Sequence, residues 1–272
     1  MLKDKISLFI PELPGYGIST PSKDPSRSAV AAALLETSHA LFPSRPIILG
    51  GHDRGARLCH RIAVTHAGSP SSSSASSPPS DLYTFSLLGL ILLDIVPTLT
   101  QWQSFTSPTV SSKYYHWAFL TSPPAIPMLL AYGGDRFAHS LLSNTSGPDA
   151  SAVAACQSDS AWELYEALHA KKEYIEGAVA DYSAAVHPEP QEQRDEQDRG
   201  QKIAVPLLVM WSLGKLGKMH GDVGRIWKEW VGEGVEVQAR GVGGGVGHYL
   251  AEEAADVVGR AVGEFVESVR GA

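Results

Sequence analysis

Cysteine is scarce in this sequence: Cys59 and Cys156 are the only two among 272 residues. They form no Cys-x-x-Cys pair, so the pattern indicates neither a disulfide framework nor a zinc site. Basic residues are also in the minority, with 22 lysines and arginines against 29 aspartates and glutamates and a formal net charge of -7. Such an acidic balance argues against nucleic acid as a partner.

Long apolar runs are missing as well. The first run, residues 6–10, is too short for a signal peptide or a membrane span, and no later run is long and unbroken enough to cross a bilayer. Hydrophobic residues nevertheless make up 43% of the chain and charged residues 19%, which allows a sizeable buried core. We therefore expect a cytoplasmic protein with no membrane partner, built as one large domain or as a core with an inserted domain.

Apolar runs typical of buried strands alternate with helical patterns along most of the chain. Strands are predicted at residues 6–10, 46–51, 87–97, 205–211 and 235–239, and helices at residues 28–42, 53–66, 222–231 and 251–269. Continuous apolar strands that alternate with helices indicate a mostly parallel sheet covered by helices on both faces, which is the doubly wound α/β class.

Two segments interrupt this pattern. Residues 68–80 form a Ser/Pro tract that cannot pack a core, and we predict a disordered surface insertion there. Residues 98–200 are rich in aromatics, prolines and helical patches, and we predict that they form a helical lid inserted between two strands. The α/β core then consists of residues 1–97 and 201–272. The lid would cover the carboxyl edge of the sheet, where ligands bind in open α/β folds.

The turn after the second strand carries the pentapeptide Gly-His-Asp-Arg-Gly at residues 51–55. A small-x-nucleophile-x-small pattern after a buried strand is typical of a nucleophile elbow, which exposes the central side chain above the sheet. Glycines on either side admit the close approach of strand and helix, and the exposed residue here is Asp53. The pentapeptide alone fits Asp53 equally well as the N-cap of the following helix.

Two further residues favour the elbow. Asp94 lies near the end of the strand after the elbow helix, and His248 lies in the loop before the last helix. In a parallel sheet both side chains would meet Asp53 at one edge, where an elbow nucleophile needs a histidine and an orienting acid. The three residues together favour a catalytic site over a helix cap and two unrelated loop residues.

Four short motifs occur together: ELPGYG at residues 12–17, HDRGAR at 52–57, LDIVPT at 93–98 and YHWAFL at 115–120. Together they resemble the aspartate-nucleophile branch of the α/β-hydrolase superfamily, which includes haloalkane dehalogenases, epoxide hydrolases and fluoroacetate (haloacetate) dehalogenases. The resemblance is strongest to the last of these and covers nearly the whole chain outside the Ser/Pro tract. It implies a small-molecule substrate and no metal or organic cofactor, and it leaves a homodimer open.

The resemblance implies a two-step hydrolysis of a small 2-halo acid such as haloacetate. Asp53 would displace the halide from the α-carbon and form an ester on its own carboxylate. His248, oriented by Asp94, would activate the water that hydrolyses this ester. Arg54 and Arg57 would hold the substrate carboxylate, which suits the fork of a guanidinium group.

Three aromatic side chains of the expected lid are implied as hydrogen-bond donors to the departing halide: His116, Trp117 and Tyr182. Epoxide hydrolysis is the alternative, because epoxide hydrolases use a pair of lid tyrosines, for which Tyr115 and Tyr182 are candidates. The position of the acid favours the dehalogenases. Asp94 precedes the lid, whereas epoxide hydrolases usually carry the acid after the strand that follows the lid, where residues 210–218 contain no carboxylate.

One part of the family pattern is missing. The family normally begins with three more strands, and the third ends in a His-Gly-x-Pro loop that supplies a second oxyanion N–H; no such motif precedes residues 6–10. The strand at residues 6–10 is then expected to pair with residues 47–50, since strand edges would otherwise stay unpaired. Loss of one oxyanion donor typically costs on the order of a hundredfold in rate. A truncated, catalytically impaired or non-catalytic binding protein of this fold is therefore a second alternative.

Overall fold

The computed structural model describes residue 2 and residues 6–68 and 85–271. Four parallel strands form one sheet in the order β1-β2-β3-β4. Their bounds are β1 Ile47–His52, β2 Leu87–Leu93, β3 Leu207–Ser212 and β4 Val237–Val242. The parallel α/β sheet expected from the apolar runs is confirmed.

Helices precede, separate and follow these strands. In the core they are α1 Arg27–Leu41, α2 Asp53–Ala67, α12 Leu216–His220, α13 Val223–Lys228, α14 Leu250–Glu253 and α15 Ala255–Arg270. Between β2 and β3 they are α3 Thr98–Ser104, α4 Pro108–Lys113, α5 Tyr115–Leu120, α6 Ala125–Tyr132, α7 Gly134–Thr145, α8 Ala150–Cys156, α9 Ala161–His169, α10 Lys172–Ala184 and α11 Glu189–Asp198, with a 3₁₀ turn at Ser158–Ser160. The predicted boundaries of this helical insertion and its role as a lid stay predictions.

The core lies on both faces of the sheet. Successive strand residues point to opposite faces, so Leu90 and Leu92 belong to one apolar cluster while Ile91 and Leu93 belong to the other. The first cluster includes side chains of α2 and α13, and the second includes side chains of α15 such as Phe265. Full burial of each such side chain contributes about 1.5–3 kcal/mol to folding. Both faces of the central strands are therefore covered.

The register of the sheet brings two acidic residues to one level. His52, the last residue of β1, pairs with Leu93, the last residue of β2. The residues that follow them are Asp53 and Asp94. Because the two strands are parallel, both carboxylates leave the sheet at its carboxyl edge.

The predicted strand at residues 6–10 is wrong. The segment has no strand conformation, and Leu8, Phe9 and Ile10 are exposed. Among the described residues β1 pairs with β2 alone, so the expected pairing of residues 6–10 with residues 47–50 does not form. Apolar and β-branched residues are stable as a strand only where a neighbouring strand and a packed face receive them, and this segment has neither.

Other elements differ in their ends. The run at residues 87–97 is a strand only to Leu93, because Asp94 turns the backbone to a φ of 52°. The last helix is interrupted at Ala254 between α14 and α15. Of the predicted Ser/Pro insertion, only Gly68 is described; residues 69–80 lie outside the described residues. No helix within the described residues has the length and apolar character needed to span a membrane.

Candidate active site

The turn between β1 and α2 has the geometry of a nucleophile elbow. Asp53 opens α2 with a φ of 43°, in the left-handed region that a non-glycine residue rarely occupies. A Cβ atom on Gly51 would lie 2.5 Å from the backbone nitrogen of Ala56, so only glycine fits there. At Gly55 a Cβ atom would meet no neighbouring atom within 4 Å. The close approach of strand and helix therefore requires glycine at residue 51 but not at residue 55.

Asp53 is not a helix cap. The residue before the first turn of α2 is His52, and no side chain caps this helix. The side chain of Asp53 is 30% exposed. Its carboxylate lies above the sheet edge instead of folding back on the helix, which agrees with the elbow and not with the N-cap.

The structure places His248 between Asp53 and Asp94, the three residues that the sequence singles out. His248 Nδ1 lies 2.7 Å from Asp94 Oδ2, and His248 Nε2 lies 3.7 Å from Asp53 Oδ2. The other oxygen of Asp94 accepts the backbone N–H of Ser212 at 2.7 Å. Asp94 is buried, and this hydrogen bond from strand β3 holds its carboxylate in place beside His248.

The charges of this triad perturb one another. Burial alone would lower the pKa of His248, but the nearby carboxylates of Asp53 and Asp94 raise it to about 10. Burial alone would raise the pKa of Asp53, but the nearby His248, and then the charges of Arg57 and Arg54, hold it well below its usual range. The resting site therefore holds an ionised Asp53 beside a protonated His248.

Arg57 lies one turn along α2 from the elbow. Its Nη1 donates to the carbonyl of Val96 at 3.0 Å and to Thr98 Oγ1 at 3.1 Å, while Nε lies 3.9 Å from Asp53 Oδ1. Nε has no hydrogen-bond partner among the described residues. The guanidinium lies 4.6 Å from the ring centre of Trp117, and its burial lowers the pKa of Arg57 to about 10.

Arg54 is held by Asp181 of α10. Its Nε donates to the carboxylate of Asp181, and its Nη2 donates to the backbone carbonyl of the same residue at 2.7 Å. Its guanidinium lies 4.3 Å from the ring centre of Tyr182. Nη1 of Arg54 is buried and has no partner within the described part of the chain.

The predicted halide donors surround these arginines. The ring centre of Tyr182 lies 5.9 Å from that of Trp117 and 6.0 Å from that of His116, and both pairs are close to perpendicular. Burial lowers the pKa of His116 to about 4, so the ring is neutral at neutral pH. Tyr115, the other tyrosine considered for an epoxide site, is 45% exposed. The structure therefore brings Tyr182, but not Tyr115, to the arginines.

Several residues near the site carry no signal in the sequence. Asp181 and Arg27 are isolated charges in helical patterns, and Glu253 is one of many acidic residues of the last helices. His52 Nε2 lies 2.8 Å from the carbonyl oxygen of His248, so this side chain contacts the backbone of the catalytic candidate. In the described ranges no three histidine, cysteine or acidic side chains are grouped to hold a metal ion.

Comparison with known proteins shows which proteins share this fold. A protein of Nostoc sp PCC 7120 assigned as an alpha/beta hydrolase is 26% identical and superposes with a TM-score of 0.77, covering 94% of this chain and 79% of that one. The chain is an α/β hydrolase. A fluoroacetate dehalogenase from Burkholderia sp is 26% identical to this hydrolase over 277 residues, covering 99% of this chain and 81% of that protein.

A third relative extends the comparison to epoxide hydrolases. A Pseudomonas aeruginosa protein assigned as an epoxide hydrolase is 25% identical with a TM-score of 0.72, covering 96% of this chain and 79% of that one. No protein-family model matches the sequence. The chain is thus similar to the dehalogenase and epoxide hydrolase-like branch of the superfamily.

Proposed function

We propose that this hydrolase removes halide from a small 2-halo acid such as haloacetate, with Asp53 as the nucleophile and a covalent ester as the intermediate. The observation that carries the proposal is the pair of buried guanidinium groups beside an ionised carboxylate. Arg54 and Arg57 each keep one nitrogen without a partner among the described residues. Unpaired buried donors are costly, and a substrate carboxylate would satisfy both.

In the first step a carboxylate oxygen of Asp53 attacks the carbon that bears the halogen. A carbon–oxygen bond forms, the carbon–halogen bond breaks, and the electron pair leaves with the halide. Arg54 and Arg57 would bind the substrate carboxylate and align the carbon with Asp53. Trp117, together with His116 and Tyr182, would donate hydrogen bonds to the charge that develops on the halogen.

In the second step water hydrolyses the ester. Formation of the ester removes the negative charge of Asp53, which is one of the groups that raise the pKa of His248. The pKa of His248 then falls and the ring releases its proton to solvent. The neutral ring, held by Asp94, can take a proton from water, whose oxygen bonds to the carboxyl carbon of Asp53 as the ester carbon–oxygen bond to the product breaks. Overall, one haloacetate and one water yield glycolate, halide and a proton.

Epoxide hydrolysis is the second candidate, supported by the epoxide hydrolase-like relative. An epoxide is neutral and offers a single oxygen as acceptor, so it has no negative charge to pair with the two buried arginines. The tyrosine pair considered for it is also incomplete, since Tyr115 is exposed while Tyr182 packs against Arg54. The arginines therefore favour the anionic substrate.

The test is halide release from fluoroacetate and chloroacetate by the wild-type protein and by Asp53→Asn, which is nearly isosteric. We expect release by the wild type and none by the variant. Release that survives in Asp53→Asn overturns the nucleophile. Diol formation from styrene oxide without halide release supports the epoxide candidate, and calorimetric binding of chloroacetate without turnover supports a non-catalytic binding protein.

A further inference from the structure

A buried carboxylate connects the insertion with the elbow helix. Asp181 of α10 is only 8% exposed and pairs with Arg54 of α2 and with Arg27 of α1. The hydroxyl of Tyr16 donates to the same carboxylate at 3.0 Å. Burial alone would raise the pKa of Asp181, but the charges of Arg27 and Arg54 lower it to about 2. Asp181 is therefore an anion held by three donors.

This contact determines the orientation of Arg54. A guanidinium group is planar, and its five N–H bonds point in fixed directions. Asp181 occupies the edge formed by Nε and Nη2, and the ring of Tyr182 lies against the face at 4.3 Å. The remaining nitrogen, Nη1, can then donate a hydrogen bond to a ligand in one fixed direction only.

The contacts continue from Arg54 to Arg57. Arg27 Nε lies 3.3 Å from Glu189 Oε2, Thr98 Oγ1 donates to Glu189 Oε1 at 2.7 Å, and Arg57 Nη1 donates to Thr98 Oγ1 at 3.1 Å. We call this series the arginine chain; in order it consists of Arg54, Asp181, Arg27, Glu189, Thr98 and Arg57. Every member is buried. Positive and negative groups alternate along it up to the threonine.

We propose that Asp181, Arg27 and Glu189 are positioning residues that hold Arg54 and Arg57 at one separation, suited to a single substrate carboxylate. The proposal rests on the proposed function, in which these two arginines bind that carboxylate. Without these contacts the two arginine side chains could adopt many rotamers. Substrate binding would then have to order them, and the lost conformational entropy would weaken the binding. Asp181 and Glu189 also neutralise part of the positive charge, so that the arginines can stay buried without a ligand.

Glu196 provides a matched control for Asp181. It is 7% exposed and pairs with Arg61, which is also on α2, but it contacts neither Arg54 nor Arg57. Removing one partner of either buried ion pair leaves the remaining charge less well compensated, which destabilises the fold. Asp181→Asn and Glu196→Gln should therefore lower the stability to a similar extent, while only Asp181→Asn changes the substrate arginines.

The first measurement is steady-state halide release from chloroacetate. We expect Asp181→Asn to raise KM and to lower kcat/KM about a hundredfold, because a misplaced carboxylate also misplaces the reacting carbon. Glu189→Gln should act in the same direction, and it replaces Asp181→Asn if that variant does not fold. Glu196→Gln should leave KM within about threefold of the wild type, as expected for loss of a contact outside the site. Equal KM values for Asp181→Asn and Glu196→Gln overturn the proposal.

The second measurement needs no turnover. The Nε–H resonance of Arg54, assigned by its loss in Arg54→Lys, should exchange slowly with water in the wild type and in Glu196→Gln, and rapidly in Asp181→Asn. Equal protection in all three overturns the role of Asp181. If the wild type releases no halide at all, the proposed function fails, while this resonance still decides whether Asp181 holds Arg54.

Discussion

His248 Nδ1 lies 2.7 Å from Asp94 Oδ2, although 154 residues separate the two in the sequence. The contact leaves Nε2 of the same ring 3.7 Å from Asp53. One histidine thus stands between the carboxylate that is proposed to attack and the carboxylate that orients the ring. The two nitrogens have different tasks in the proposed reaction: Nδ1 holds the ring against Asp94, and Nε2 faces Asp53.

Replacing the histidine should stop the reaction after its first step. In His248→Gln, Asp53 can still displace the halide, but nothing activates water against the ester. We expect one equivalent of halide per protein and then no more, with an increase in intact mass equal to one carboxymethyl group on Asp53. His139→Gln, on an exposed part of α7, should turn over like the wild type. Continued turnover of His248→Gln contradicts the assignment.

The charge of Asp53 should be visible in the titration of His248. The pKa of His248 is raised from 6.5 to about 10 partly by Asp53. In Asp53→Asn this support is lost, so an NMR titration should find a lower pKa for His248. An unchanged pKa in the variant would show that Asp94 alone raises it.

The same shift makes the stability depend on pH. Since the pKa of folded His248, about 10, lies above the ordinary value of 6.5, protonation favours the folded state. This contribution is complete below pH 6.5 and is lost as the pH rises through about 10. The difference in free energy of unfolding between the wild type and Asp53→Asn should therefore shrink over that range in urea titrations. A constant difference contradicts the pairing.

Loss of a halide donor should affect fluoride more than the other halides. Fluoride is the poorest leaving group and needs most stabilisation as its charge develops. We expect Trp117→Phe to slow defluorination of fluoroacetate about 10²–10³-fold and release from bromoacetate much less. Tyr115→Phe, at an exposed site, should leave both rates unchanged. Equal losses for both substrates would indicate that Trp117 acts through packing alone.

The loop that carries His248 should depend on Glu253. The Glu253 carboxylate accepts the backbone N–H groups of Gly147 at 2.8 Å, Gly247 at 2.7 Å and Tyr249 at 3.0 Å. The amide of Glu253→Gln offers a donor where acceptors are needed, which should lower the stability by about 1–3 kcal/mol. We also expect kcat for chloroacetate to fall about tenfold while KM stays unchanged, because His248 loses its position.

The neighbouring carboxylate is the control for this prediction. The Glu252 side chain accepts from the hydroxyl of Tyr165 at 3.3 Å and from Cys156 Sγ at 3.4 Å, and it has no hydrogen bond to the loop of His248 among the described residues. Glu252→Gln should leave kcat unchanged. Equal effects of the two substitutions on kcat would show that Glu253 acts on stability only.

Much of the site follows from local patterns. A buried strand that runs into Gly-His-Asp-Arg-Gly predicts the elbow, because glycine at residue 51 is required where the strand and helix backbones meet. Asp94 and His248 could be predicted because parallel strands end at one edge, and the register places Asp94 level with Asp53. These inferences need only residue type and periodicity, and both are properties of the sequence alone.

Other features depend on which elements pack together. The apolar segment at residues 6–10 is exposed, since no strand in the described part of the chain pairs with it. The arginine chain joins side chains from α1, α2, α10 and α11, and nothing in the sequence near Asp181 or Arg27 indicates their partners. A buried charge must find an opposite charge wherever the fold supplies one, often far along the chain. The sequence alone therefore determined which groups are candidates for the reaction, and the tertiary structure decided how the arginines beside them are held.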